Sequence, residues 1–187
     1  IGKATNRVCQ GEIRQNDSCG KWELSEEDYL SMIDAKTAEL CACSCRLGAH
    51  FAGADDEQTE LWTAYGRCLG MAFQIIDDVL DLAGRETETG KSLGTDLAQA
   101  KPTLPLIHVW EQANESDRQS LKQLLASSDD PRAKLDPWLT RYDAMTYARS
   151  RAAAYAQQAT QIASQAEPGD AQRVLSQLPE VLMHRVA

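Results

Sequence analysis

The sequence predicts an all-α protein, a helical bundle. Apolar residues recur at three- and four-residue intervals along nearly the whole chain, and no stretch alternates polar and apolar residues as a half-buried strand would. The breaks in the pattern carry helix caps rather than hairpin turns. The 187 residues can bury one sizeable core, and nothing in their punctuation separates two, so residues 1–187 are read as belonging to one domain.

In "LSEEDYL", Ser25 is placed as an N-cap, with Asp28 three residues on and acids in the first turn, where the helix dipole favours negative charge. The helix should run through "SMIDAKTAELCACSCRLGAHF" and stop near Gly53. Asp55 or Asp56 then caps a second long helix, whose apolar stripe includes Leu61, Trp62, Tyr65, Leu69, Phe73, Ile76 and Leu80 and whose natural end is Gly84. Residues 85–103, "RETETGKSLGTDLAQAKPT", break the pattern with Gly, Thr and charge, and a connection of that length suggests function. After "KPTLPLIHVWEQ" come shorter helices, with Asp129-Asp130-Pro131 as a helix-start signal. "DAMTYARSRAAAYAQQATQIASQAE" reads as an Ala-rich helix ended by Pro168-Gly169, and "AQRVLSQLPEVLMHRV" as a last amphipathic piece.

A formal net charge of −9 argues against nonspecific affinity for nucleic acid or anionic lipid, which would repel the average surface. No apolar run approaches the ~20 residues that span a bilayer, and no leader pattern is visible, so the expected compartment is the cytoplasm. The six cysteines, among them "CACSC", lack the two-residue gaps of common zinc sites. They read as small buried hydrophobes, with a metal or redox role as the alternative. The four tryptophans read as core or interface residues.

The chemistry concentrates in "GMAFQIIDDVLDLAG", which sets three acids in an otherwise apolar helix. At helical spacing Gln74, Asp77 and Asp81 share a stripe, with Asp78 beside them. Like charges so placed repel and call for a cation. Carboxylates without His or Cys suit Mg2+ or Ca2+, and magnesium typically takes one or two carboxylates and completes its shell with water and substrate phosphates. The alternative is an exposed acidic face paired with nearby Arg and Lys. Lys91 and Lys101 lie in or beside the loop that leaves the acidic helix, and Lys36 precedes Thr37 in the earlier helix. Lysines can hold diphosphate oxygens as point charges, and a threonine hydroxyl adds a hydrogen bond.

"AFQIIDDVLDLAG" followed by "GKSLGTDLAQAKPTLPLI" resembles the second aspartate-rich region of the trans-polyprenyl diphosphate synthases. "KTAEL" is similar to their lysine-threonine helix, "VCQGEIRQ" to the segment before it, and "YAQQATQIASQAEPGDAQRVLSQLPEVLMHR" to their C-terminal helices. The resemblance implies the isoprenoid synthase type of helical bundle, with residues 1–187 as its C-terminal part. It implies that Asp77, Asp78 and Asp81 bind Mg2+ bridging to an allylic prenyl diphosphate, and that Lys36, Thr37, Gln74, Lys91 and Lys101 line the diphosphate cleft, Lys36 and Lys91 acting directly in catalysis. The implied reaction condenses isopentenyl diphosphate with the allylic diphosphate in a homodimeric enzyme. "GEIRQ" and "KPTLPLI" point to a long-chain, octaprenyl-type product.

The family's first aspartate-rich motif, with its following arginine pair, does not occur in these residues. Asp55-Asp56 and Asp129-Asp130 lack a third aspartate at the required spacing and read as helix-start residues. The sequence is therefore expected to be a fragment lacking the N-terminal helices and inactive alone, with large apolar faces exposed. The alternative is a non-catalytic partner subunit that modulates a complete synthase.

Overall fold

A computed structural model describes residues 1–83, 94–127 and 131–186. Among these residues the secondary structure is entirely helical: α1 (Gly2–Ser18), α2 (Glu26–Ile33), a π-helical turn (Asp34–Ala38), α3 (Glu39–Phe51), α4 (Asp56–Ala83), α5 (Thr95–Ala98), α6 (Leu104–Gln112), α7 (Glu115–Ser127), α8 (Pro131–Arg141), α9 (Ala144–Ala163), α10 (Asp170–Leu175) and α11 (Leu178–Met183), closed by a 3-10 turn (His184–Val186). None of these helices is long and apolar enough to cross a membrane.

The long α4 is the axis. It packs against α3 on one side and α9 on the other. α9 can lie close because its buried positions are all alanine, at Ala144, Ala148, Ala152, Ala156, Ala159 and Ala163. The α3–α4 contact is closer still. A Cβ on Gly70 would stand 2.6 Å from the Ala38 Cα, and one on Gly66 2.6 Å from the Cys41 carbonyl oxygen, so these two positions admit only glycine without a backbone shift. The main core joins Tyr29, Met32 and Ile33 of α2 to Ile75, Ile76 and Val79 of α4, Leu104 and Ile107 of α6, and the α9 alanines. A second cluster, built from Trp22, Leu82, Leu97, Leu106, Val109, Leu121, Leu135 and Leu139, supports the far end of α4.

The expected caps form. Ser25 Oγ accepts the Asp28 backbone N–H at 3.1 Å, and Asp55 Oδ1 accepts that of Gln58 at 2.8 Å. The helix that Ser25 opens does reach Phe51, but the π-turn interrupts it. α9 stops at Ala163, short of Pro168-Gly169, and the final amphipathic piece divides into α10 and α11. Gly84, Asp129 and Asp130 lie outside the described residues, and α8 begins at Pro131.

Two expectations need correcting. Phe73 is not on the buried stripe: it is 42% exposed, with the Arg185 guanidinium 5.8 Å from its ring centroid. The buried face of α4 is carried instead by Tyr65, Met71, Ala72, Ile75, Ile76, Val79 and Leu82, which look toward α3 and α9 and leave Phe73 at the margin. Nor are the cysteines core residues, since Cys9 is exposed, the other five are half-buried, and all six are free thiols. Trp22 is buried, and Trp62, Trp110 and Trp138 pack against core clusters. Exposed apolar side chains include Ile13, Leu40 and Phe51 on α1 and α3 and Val174, Leu178 and Val181 on the C-terminal helices.

Candidate functional site

The acids occupy the last two turns of α4, where exposed carbonyls make negative charge unfavourable. Asp78 is 4% exposed, and both its oxygens are taken: Oδ1 accepts the Gln74 side-chain N–H at 2.8 Å and Oδ2 accepts the Tyr29 hydroxyl at 2.7 Å. Gln74 reaches one helical turn forward to do this, which fixes its amide so that Oε1 accepts the Thr37 hydroxyl at 2.7 Å. A continuous chain of hydrogen bonds therefore runs Thr37–Gln74–Asp78–Tyr29, tying the π-turn, α4 and α2 together. Burial pushes the Asp78 carboxyl up to about 7; the bonds from Tyr29 and Gln74 oppose the shift, and the charges of Asp96 and Asp77 add to it. Burial, followed by the Asp78 charge, raises Tyr29 well above the usual phenol range.

Asp81 is spoken for differently. Its Oδ1 accepts the Thr95 backbone N–H at 3.2 Å and the Thr95 hydroxyl at 3.0 Å, its Oδ2 accepts the Asp96 backbone N–H at 3.1 Å, and its carbonyl accepts the Gly94 N–H at 2.9 Å. It thus holds the start of α5 against the end of α4. The next link is Asp96, whose Oδ1 receives the Lys101 ammonium at 3.2 Å and whose carbonyl accepts the Lys101 N–H at 2.8 Å. Asp77 is only half-buried.

Lys36 and Thr37 sit on the π-turn, an element found mostly as single turns and frequently at functional sites. α1 crosses immediately behind it: a Cβ on Gly11 would lie 2.5 Å from the Lys36 backbone nitrogen. The same helix supplies partners for the Lys36 ammonium, Gln15 Oε1 and, at 3.0 Å, Glu12 Oε2. Lys36 and Lys101 are thus engaged by Glu12, Gln15 and Asp96. Lys91 lies outside the described residues.

The structure brings Thr37, Gln74 and Asp78 into one network and Asp81 and Lys101 into another, joined along α4. Among the described residues no group of three or more His, Cys, Asp or Glu side chains is placed to hold a metal ion by itself. Magnesium does not need such a group, because it keeps waters and takes only one or two carboxylates alongside substrate phosphates. Hard oxygen donors in the last turns of α4, with Asp77 half-exposed, fit that demand.

Sequence reasoning did not single out Tyr29, Asp96, Thr95, Gln15 or Glu12 as site residues. "GTDL" offered a signal, since Thr-Asp after a glycine is helix-start chemistry five residues before a lysine. Gln15 stands 21 residues from Lys36, too far for any local pattern to link them.

Residues 1–142 match the family model described as Polyprenyl synthetase. The chain belongs to that family. It is 33% identical over 180 residues to the short chain isoprenyl diphosphate synthase of Methanothermobacter thermautotrophicus, a match covering 96% of this chain and 55% of the relative. It is 39% identical over 130 residues to the heptaprenyl diphosphate synthase component 2 of Bacillus subtilis, covering 70% of this chain and 36% of that one. Among solved structures, a polyprenyl synthase from Caulobacter crescentus, complexed with calcium and isoprenyl diphosphate, superposes with a TM-score of 0.91 at 28% identity, covering 100% of this chain and 58% of that chain. The chain therefore spans about half the length of these polyprenyl synthetase relatives, and it has their all-α fold.

Proposed function

We propose that this chain supplies the allylic-diphosphate half of a prenyl diphosphate synthase, which in its complete form joins isopentenyl diphosphate to an allylic diphosphate. The observation that carries the reading is the hydrogen-bond chain from Thr37 through Gln74 to Asp78. It links the turn that bears Lys36 and Thr37 to Asp78 near the end of α4, which supports a shared cleft although the two segments are far apart in sequence.

Magnesium, when bound, neutralises diphosphate oxygens and so makes the diphosphate a better leaving group. Asp77 would hold it, with Asp78 and Asp81 at its flank. Lys36, Lys101 and Lys91 hold the diphosphate oxygens as fixed positive charges where negative charge accumulates as the allylic carbon–oxygen bond breaks. The isopentenyl double bond then attacks the allylic carbon, and loss of a proton restores an alkene. Gln74 keeps the Thr37 hydroxyl oriented in this scheme, and Asp78 with Tyr29 keeps Gln74 from turning. Within these 187 residues only Asp77, Asp78 and Asp81 have the three-aspartate spacing, and they are the group this reading expects to bind the allylic diphosphate.

The test is calorimetric titration with a thiolo analogue of an allylic diphosphate. Binding should require Mg2+ and weaken by about tenfold in Lys36→Ala or Lys101→Ala while the melting temperature holds. Unchanged affinity in both variants would oppose the reading.

A second reading, a non-catalytic subunit, draws on one observation: the similarity to a protein named as component 2 of a heptaprenyl synthase. It expects the chain to alter the rate or product length of a complete synthase on mixing. Added chain that leaves both unchanged would dismiss it.

A further inference from the structure

The π-turn that carries Lys36 and Thr37 is flanked by a quartet of charges absent from the proposed chemistry. Asp34 is its first residue, and Glu39 follows its last. The Glu39 backbone N–H donates to the Asp34 carbonyl, the five-residue bond that defines the turn. Residues five apart on an α-helix point about 140° away from each other, which is poor geometry for one side chain to bridge. The wider turn brings the two carboxylates onto one side. There the Arg67 guanidinium of α4 bonds Asp34 Oδ1 with one nitrogen and Glu39 Oε2, at 2.8 Å, with another. Arg7 of α1 closes the quartet, reaching Asp34 Oδ2 at 2.5 Å and Glu39 Oε2 at 3.6 Å. The acid side chains are 20% and 18% exposed, more sheltered than an ordinary surface pair, so the bonds weigh more than the small contribution usual at a surface. Three glycines show how tightly the neighbouring helices close around this segment: Gly11 abuts the Lys36 backbone, Gly70 that of Ala38, and Gly66 that of Cys41 at the start of α3.

We infer that Arg67, assisted by Arg7, is a positioning residue: by bridging Asp34 and Glu39 it locks the π-turn in the register that presents Lys36 to the diphosphate and Thr37 to Gln74. This rests on the reading of Lys36 and Thr37 as diphosphate-binding residues. In an α-helical register the two ends of the clamp would separate, and Lys36 and Thr37 would rotate relative to α4. The guanidinium acts through the turn and touches no substrate.

The test uses the 187-residue chain with Arg67→Met, which keeps bulk and removes the fork, and Glu39→Gln as a milder variant should the first fail to fold. Amide hydrogen exchange over residues 34–39 should accelerate by about tenfold or more, with α9 amides unchanged. Affinity for pyrophosphate in the presence of Mg2+ should fall by about tenfold in the wild-type background and by clearly less in a Lys36→Ala background, where only the Thr37 contribution remains to be lost. Arg67→Lys should restore only part of the affinity, since an ammonium cannot bridge both acids with a planar fork. Equal losses in both backgrounds, or unaltered exchange at residues 34–39, would overturn the inference. If the wild-type chain binds no pyrophosphate at all, the proposed function fails, and the exchange measurement alone decides the clamp: acceleration supports it and no change refutes it.

Discussion

Asp55 and Asp56 stand exposed at the start of α4, whereas Asp77 and Asp78 stand in its last two turns, with Asp78 buried under Tyr29. At the first position a carboxylate meets unpaired N–H groups and the positive end of the helix dipole, and Asp55 needs no partner beyond the Gln58 amide. At the second it meets the negative end, a neighbouring aspartate and a low-dielectric core. An acid placed there is unfavourable for folding unless donors surround it, as Tyr29 and Gln74 surround Asp78 and the start of α5 surrounds Asp81. The same dipeptide thus acts as helix punctuation at one end of α4 and as the centre of a polar network at the other.

Substitutions at the two ends sharpen the contrast. Asp78→Ala strands the buried Tyr29 hydroxyl and frees the half-buried Gln74 amide, and should lower stability by about 2–4 kcal/mol in urea unfolding. A smaller effect would mean that the buried pair is not a coupled network. Gly70→Ala drives a Cβ into the Ala38 backbone and should lower stability by about 1–3 kcal/mol, with a drop in affinity for Mg2+-pyrophosphate because the π-turn shifts. Asp55→Ala removes a cap and should lower it by about 1 kcal/mol, leaving ligand affinity untouched. Asp56→Ala should stay within about 0.5 kcal/mol.

The buried Asp78 should also make stability depend on pH. Asp78 titrates near 7 in the folded protein but near ~4 when unfolded, so its protonated form favours folding. Its contribution is complete below pH ~4 and is lost as pH rises through about 7. Metal-free wild-type protein should therefore lose melting temperature across that interval, and Asp78→Asn should flatten the loss. A wild-type slope unchanged by Asp78→Asn would show that Asp78 is not the group responsible.

Much of this site was legible in the sequence. The spacing of Gln74, Asp77, Asp78 and Asp81 reports their shared helix end, and Ser25 and Asp55 announce the helix starts, because capping and helical periodicity are local. What escaped was non-local. Tyr29 satisfies an aspartate 49 residues away, and Gln15 meets Lys36 from a helix whose crossing is set by Gly11. The π-turn escaped because five residues of wider winding leave the apolar pattern on either side nearly intact. Phe73 was misplaced for the opposite reason: local periodicity assigned it to a face whose actual edge is drawn by α3 and α9.

The most direct measurement is calorimetric titration of the 187-residue chain with pyrophosphate, with and without Mg2+, in wild type and Asp77→Ala. Binding that appears only with Mg2+ and is abolished by Asp77→Ala is the predicted result. Binding that ignores Mg2+, or survives the loss of Asp77, would contradict a metal-diphosphate site at the end of α4.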